Sequence, residues 1–241
     1  MKEFKTIQEA YEAGVNDGIK KAGVDFVEDY GCVSRCKVFA IEDSIRASKF
    51  PFAVDVNAVN GDLTPRAESL AMSKMGEGHD NWLNGVIVQF DLKFSNKAWV
   101  EAERYHFFDF VSSQSTMHKI TGFDMGKAFN KYVDKRSIEV LNEKIDEYNR
   151  ICDMILESSN VVEDAEKLEE LEAMKKEAYL SILYNNPAGF ELTARMTTNY
   201  RQLKTMYNQR KNHRLPEGRE FCKWIESLPC SYFITGKKVT A

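Results

Sequence analysis

The chain of 241 residues carries a formal net charge of −4 and an ordinary share of apolar residues. It is long enough for one large domain or two small ones, and its composition excludes a disordered protein. No apolar run approaches the ~18 residues that a membrane-spanning helix needs, and the first residues lack the apolar region of a signal peptide. We therefore expect a cytoplasmic protein without a membrane segment.

Five cysteines at irregular spacing agree with this location, because they form no disulfide framework. Cys32 and Cys36 are separated by three residues, but the chain has only four histidines and no second cysteine pair nearby. Two buried or loop thiols explain this pair better than a metal site does. We predict no metal ion.

The first predicted element is a helix at the start of the chain. Thr6 and Glu9 form a capping box, which predicts a helix to about Lys21. We interpret residues 1–35 as a helical N-terminal extension and residues 37–41 as a short strand.

The middle of the chain is predicted to contain a helix, a strand and a second helix. Proline is favoured at the first helical position, so Thr64 and Pro65 predict a helix start. Residues 86–94 alternate between apolar and polar side chains, the pattern of a half-buried strand. Asn96 then predicts the cap of a helix that carries aromatic residues as far as Phe108.

Residues 137–184 are helical in pattern and mostly acidic, with a break at residues 158–160. Apolar residues recur at spacings of three and four on both sides of the break, which predicts an antiparallel helical hairpin. Its charges form either a solvated, salt-bridged surface or a contact between subunits. We find no internal repeat or low-complexity linker, and therefore predict a single α+β domain over residues 1–241 with a central sheet and long helices.

A basic cluster follows the hairpin. Residues 195–219 contain seven Lys or Arg side chains and one acid, Glu217. In a chain with a negative net charge, such a local cluster indicates an anionic partner. Nucleic acid needs a broad basic surface with several phosphate contacts, and the rest of the chain does not supply one. A nucleic-acid binder is therefore the least favoured function.

Arg210 has an unusual place within this cluster. In a helix that begins at about Thr197, Leu203 and Met206 lie on one apolar stripe, and Arg210 continues that stripe. An unpaired buried cation is costly, so Arg210 must bind either a protein carboxylate or a ligand phosphate. The spacing leaves both partners open.

Two parts of the chain carry the motifs of a known family. The strand VIVQFDLKF follows a Gly-His pair that ends at His79, and it precedes a helix and the segment FVSSQSTMHKI. The segment PAGFELTARMTTNYRQLKTMYNQR, residues 187–210, contains Asn-x-Arg-x-Leu and later Asn-x-Arg. In kind and order, these motifs resemble the flavin-dependent thymidylate synthases (ThyX). The resemblance covers roughly residues 36–134 and 185–228.

The resemblance implies a fold, a reaction and a set of site residues. It implies a ThyX-like α+β fold in a homotetramer. The implied reaction transfers a one-carbon unit from methylenetetrahydrofolate to dUMP, followed by hydride transfer from reduced FAD. His79, Asn199 and Arg201 would lie near the flavin. The residues implied to bind the nucleotide are Arg210, Lys119, Ser112, Gln114 and Arg195.

The family's signature Arg-His-Arg is replaced here by Phe107, Phe108 and Asp109. The missing arginines are the electrostatic part of catalysis, while the flavin carries the redox chemistry. No catalytic residue is assigned, and His106 and His118 are each either a general base or an ordinary packing residue. Two functions follow: a diverged flavin enzyme acting on dUMP or a related pyrimidine nucleotide, and a non-catalytic nucleotide sensor or protein-interaction module.

Overall fold

A computed structural model describes residues 23–159 and 165–238 of the chain, which divides into two compact units. Among the described residues, the first unit contains those up to Lys93, Val100–Ser112 and those from Thr193 onward. The second unit contains Phe94–Trp99 and the described residues of Ser113–Leu192. The prediction of a single domain over residues 1–241 stays a prediction.

In the described part of the chain, five strands form one sheet in the order β1-β2-β3-β5-β4. The strands are Val24–Val27 (β1), Val33–Phe39 (β2), Ile87–Ser95 (β3), Asp109–Ser113 (β4) and Glu191–Asn199 (β5). β1 pairs antiparallel with β2, and β2 pairs antiparallel with β3. The strand predicted over residues 86–94 is confirmed within one residue at each end.

The helical extension predicted over residues 1–35 is wrong for its last part, because β1 and the start of β2 lie there. Val24 pairs with Phe39, and Gly31 has a φ of 56°, a conformation that lets the chain turn between the two strands. Valine is enriched in strands, which the helical prediction overlooked. The helix predicted from the capping box of Thr6 lies outside the described residues.

The helices flank and connect these strands. They are Ile41–Ala47 (α1), Pro65–Ala71 (α2), Asn96–Ala102 (α3), Thr116–Lys119 (α4), Lys135–Ser159 (α5), Ala165–Tyr184 (α6), Tyr200–Arg210 (α7), Pro216–Glu226 (α8) and Tyr232–Thr235 (α9). The predicted start of α2 is confirmed, since the Thr64 side chain accepts a hydrogen bond from the Ala67 amide at 3.2 Å. Across the described residues, every helix is too short or too polar to span a bilayer.

Two helix boundaries differ from their predictions. α3 ends at Ala102 instead of continuing to Phe108, and Ser95, not Asn96, accepts the capping hydrogen bond from the Ala98 amide. α7 begins at Tyr200 because the three residues before it complete β5. Both predicted helices therefore extend beyond the hydrogen-bonded residues, α3 at its end and α7 at its start.

The core of the first unit lies against one face of β3. The alternate residues Val88, Phe90 and Leu92 are fully buried, and Phe90 lies 4.6 Å from Trp224 of α8 between ring centroids. Helix α7 adds the buried apolar side chains of its own stripe, including Leu203. This packing fixes the first turn of α7, where the candidate site is found.

The second unit is dominated by the pair α5 and α6. Lys144 Nζ near the start of α5 donates to Ser181 Oγ near the end of α6 at 2.9 Å, so the two helices run antiparallel. Leu141 and Ile182 are fully buried in a cluster with Ile120. The acidic segment is therefore a packed helical pair with an apolar seam.

Candidate functional site

A cavity of about 250 Å³ lies in the first unit, where β5 passes into α7. Its lining includes Asn84, Phe107, Asn199, Arg201 and Gln202. Two of the three residues that the resemblance places near a flavin, Asn199 and Arg201, thus share one cavity. The third, His79, is exposed and precedes the lining residue Asp80 in the chain.

The N-terminus of α7 positions these residues. Asn199 has extended backbone geometry, and its side-chain oxygen accepts a hydrogen bond from the Gln202 amide at 2.9 Å. This is a helix N-cap, which satisfies one of the free amides of the first turn. Arg201 consequently sits at the positive end of the helix dipole.

Arg201 is held by one edge of its guanidinium. Its Nε lies 3.3 Å from Asp80 Oδ1, and its side chain is 38% exposed. Its two terminal nitrogens have no partner among the described residues. Planar donors of this kind match a phosphate or carboxylate, so Arg201 can receive an anion in the cavity.

Asp80 and Lys204 form a buried ion pair behind Arg201. Lys204 Nζ lies 2.8 Å from Asp80 Oδ2, and the Lys204 side chain is only 7% exposed. The same ammonium donates to the carbonyl oxygens of Ala71 at 2.7 Å and Ser73 at 2.6 Å. Sequence reasoning missed Asp80 and counted Lys204 only as one of the seven basic residues of the cluster over residues 195–219. An acid beside the Gly-His motif and a lysine three residues after Arg201 were the available signals.

Phe107 forms an aromatic wall of the cavity. Its side chain is 67% exposed, and its backbone lies in the left-handed region with φ 56°. The Thr198 hydroxyl donates to the Phe107 carbonyl at 2.6 Å and holds this conformation. His106 also lines the cavity. Backbone of this kind in a non-glycine residue is concentrated at binding and catalytic sites.

Arg210 lies elsewhere in the first unit, and two of its nitrogens contact residues of the protein. Its Nε donates to Tyr105 Oη at 2.6 Å, and one terminal nitrogen lies 3.6 Å from Glu101. The sequence left two partners open for Arg210, a protein carboxylate and a ligand phosphate. The structure shows the protein carboxylate, that of Glu101. Burial raises the pKa of Tyr105, and the hydrogen bond from Arg210 partly offsets that effect.

Arg195 lies on β5 and contacts a second buried acid. Its guanidinium lies 3.2 Å from Asp91 and donates to the Arg35 carbonyl at 2.9 Å. Arg35 pairs with the same carboxylate and has a φ of 51° at an irregularity in the β2 register. The two arginines therefore share one acid, and Arg195 does not line the cavity at α7.

The remaining predicted nucleotide ligands are exposed. Ser112 is on β4 in the first unit, whereas Gln114 and Lys119 belong to the second unit. His118 is an exposed residue of α4. The nucleotide contacts assigned to Ser112, Gln114 and Lys119 therefore stay predictions.

The cysteines are free thiols. Burial raises the pKa of the Cys36 thiol to about 12 and raises that of Cys32 still further. Within residues 23–159 and 165–238, no group of three or more His, Cys, Asp or Glu side chains is arranged to hold a metal ion.

Comparison with known proteins gives the fold but no family assignment. No family model matches the chain, and no curated protein matches its sequence. Thymidylate Synthase X (ThyX) from Helicobacter pylori with FAD and dUMP is 14% identical, with a TM-score of 0.50 over 88% of this chain and 97% of that chain. A second structure, flavin-dependent thymidylate synthase ThyX from the same organism complexed with FAD and dUMP, is 15% identical over 87% of this chain and 95% of that one, with a TM-score of 0.49. The predicted α+β, ThyX-like fold is confirmed, and at this identity the likeness extends to the fold alone.

Proposed function

We propose that this protein binds a pyrimidine nucleotide, such as dUMP, in the cavity at the start of α7. The observation that carries the proposal is the geometry of Arg201. Asp80 holds its Nε, while its terminal nitrogens have no partner among the described residues of the chain. A phosphate beside Arg201 would also lie at the positive end of the α7 dipole, a favourable position for an anion.

The other walls suit the base and sugar of a nucleotide. Phe107 exposes a ring on which a planar base can stack. Asn84 and Gln202 bring amide groups, which both donate and accept hydrogen bonds, as the edge of a pyrimidine requires. The combination of one cation, one ring and two amides supports a mononucleotide over a simple anion.

The same residues do not fit a whole FAD. The cavity of about 250 Å³ is smaller than the ~300–1,000 Å³ of typical ligand sites, and Arg201 is the one arginine among its described lining residues, whereas FAD carries two phosphates. At the positions of the family's two arginines stand Phe107, an exposed aromatic residue, and Asp109, an exposed acid. We therefore derive no reaction step through a flavin or through methylenetetrahydrofolate.

A non-catalytic nucleotide sensor or protein-interaction module is the second candidate function. Phe107 and Asp109 favour it, because neither residue can replace the charge of an arginine beside a developing anion. In either role, a homotetramer in the cytoplasm is the proposed state, and light scattering at several concentrations would measure the oligomer.

Two measurements test the proposal. Titration calorimetry should detect dUMP binding by the wild-type protein, with a loss of about tenfold or more in Arg201→Gln. Lys223→Gln, an exposed cation of α8, is the matched control and should bind normally. Absence of dUMP binding by the wild-type protein would overturn the proposal.

The visible spectrum decides between the two candidate roles. The protein is mixed with FAD and passed through a gel-filtration column. A retained, stoichiometric flavin band would support a diverged flavin enzyme, and dUMP turnover would then be assayed. A colourless protein that binds dUMP would support the non-catalytic role.

A further inference from the structure

We infer that Lys204 is a positioning residue that keeps Arg201 available to a single phosphate-type anion by occupying the carboxylate of Asp80. The inference rests on the proposed function and names the feature that sets its ligand class. Lys204 acts on the ligand only through Asp80 and Arg201.

Two cations share one buried acid in this cluster. Asp80 is almost fully buried, with Oδ2 at 2.8 Å from Lys204 Nζ and Oδ1 at 3.3 Å from Arg201 Nε. The closer contact belongs to Lys204. Because one negative charge faces two positive charges, the cluster retains one net positive charge, and Arg201 is the cation that lines the cavity.

Lys204 has no donor left for a ligand. An ammonium group has three N–H donors, and those of Lys204 contact Asp80, the Ala71 carbonyl and the Ser73 carbonyl. The two carbonyls lie at and just beyond the end of α2, so the ammonium is fixed from the side opposite to α7. Its role is therefore to neutralise Asp80 in a fixed place.

Loss of Lys204 would change the behaviour of Asp80. A buried carboxylate that loses its closest cation must recover a partner, since an uncompensated buried charge is strongly destabilising. Arg201 is the adjacent cation, and a bidentate pair between Arg201 and the Asp80 carboxylate would use the nitrogens that otherwise face a ligand. The site would then have no net charge to offer an anion.

This charge balance defines the ligand. One excess positive charge on a guanidinium suits a phosphomonoester, such as that of a nucleoside monophosphate. A neutral nucleoside would leave Arg201 unpaired in the cavity. The inference therefore predicts selectivity for the monophosphate over the nucleoside, and this selectivity depends on Lys204.

The test compares Lys204→Met with the double variant Asp80→Asn/Lys204→Met. Lys204→Met should bind dUMP about tenfold more weakly than the wild-type protein, because Asp80 recruits Arg201. In the double variant the amide side chain at position 80 still accepts from Arg201 Nε but carries no charge, so dUMP affinity should return to the wild-type value or exceed it. A purely structural role for Lys204 predicts no such recovery.

A second readout separates this inference from the proposed function. The Arg201 Nε–H resonance, assigned by its disappearance in Arg201→Lys, is followed during titration with inorganic phosphate. It should shift in the wild-type protein and in the double variant, and should respond far less in Lys204→Met. This pattern in a protein that does not bind dUMP would support the inference and refute the proposed nucleotide.

Two results would overturn the inference. One is unchanged dUMP affinity and phosphate response in folded Lys204→Met. The other is a phosphate response in the folded double variant that is at least tenfold weaker than in the wild-type protein. This second result applies even if Lys204→Met does not fold.

Discussion

Arg210 donates from its Nε to the hydroxyl of Tyr105 at 2.6 Å, and the Tyr105 hydroxyl donates in turn to Gln209 at 2.9 Å. The arginine is only 18% exposed and also approaches Glu101. Its position on an apolar stripe is thus explained by partners inside the protein. The nucleotide role that the resemblance implies for it remains a prediction.

The first prediction concerns Arg210→Met. We expect a loss of about 1–3 kcal/mol in the free energy of unfolding, because hydrogen bonds to a charged donor are lost. The affinity for dUMP should change less than twofold, since Arg210 does not line the cavity at α7. Chemical denaturation and calorimetry measure the two quantities. Unchanged stability with strongly weakened dUMP binding would instead support the role implied by the resemblance.

The second prediction separates backbone strain from ring contact at Phe107. Phe107→Gly and Phe107→Ala both remove the exposed ring, so both should weaken dUMP binding to a similar degree. Glycine adopts a positive φ without steric cost, so Phe107→Gly should be more stable than Phe107→Ala by about 1 kcal/mol. Equal stability of the two variants would mean that the backbone relaxes when the phenylalanine is replaced.

The third prediction concerns alkaline pH. Burial raises the pKa of Cys36 and Cys222 to about 12 in the folded chain, from an ordinary value of 9.0. Between pH 9 and 12 the unfolded chain loses these protons first, so the free energy of unfolding should fall as pH rises through this window. Below pH 9 both thiols keep their protons in either state, and they contribute no pH dependence.

Urea denaturation at pH 8, 9.5 and 10.5 would measure this effect. The fall should be smaller in Cys36→Ala, after correction for its stability at pH 8. An identical slope in the variant would show that other groups, such as Tyr207 with its pKa raised by burial to about 12, dominate the alkaline limb.

The fourth prediction concerns the seam between α5 and α6. Leu141→Ala should cost about 2–5 kcal/mol, because the leucine is fully buried beside Ile145 and Ile182. Val140→Ala, the neighbouring exposed position, is the matched control and should change stability by less than about 0.5 kcal/mol. Similar costs at both positions would indicate that Val140 is covered by another subunit in solution.

Local patterns predicted the elements that depend on neighbouring residues. The alternation along β3, the proline at the start of α2 and the two-armed helical segment all reflect short-range periodicity. Asn199 and Arg201 line one cavity, and the flavin contact that the resemblance implies for them stays a prediction. These features are encoded within a few residues of one another.

The features that sequence reasoning missed depend on distant pairs. Asp80 and Lys204 are 124 positions apart, and no periodicity connects them. The same holds for the Thr198 hydroxyl that fixes the backbone of Phe107, 91 positions earlier. The end of α3 at Ala102, before the aromatic residues that the prediction included, was also missed.

The contacts of Lys204 have a consequence for the kinetics and entropy of binding. The Lys204 ammonium connects Ala71, Ser73 and Asp80 to α7. The segment between Ser73 and Asp80, which contains Gly76 and Gly78, is therefore held at both ends. Those glycines have φ values of 93° and 78° in the folded chain, and because glycine has no Cβ, a free loop that contains them would reach many other conformations. Because folding already removes most of that freedom, an incoming ligand has little chain left to order, and association should proceed without a slow closing step.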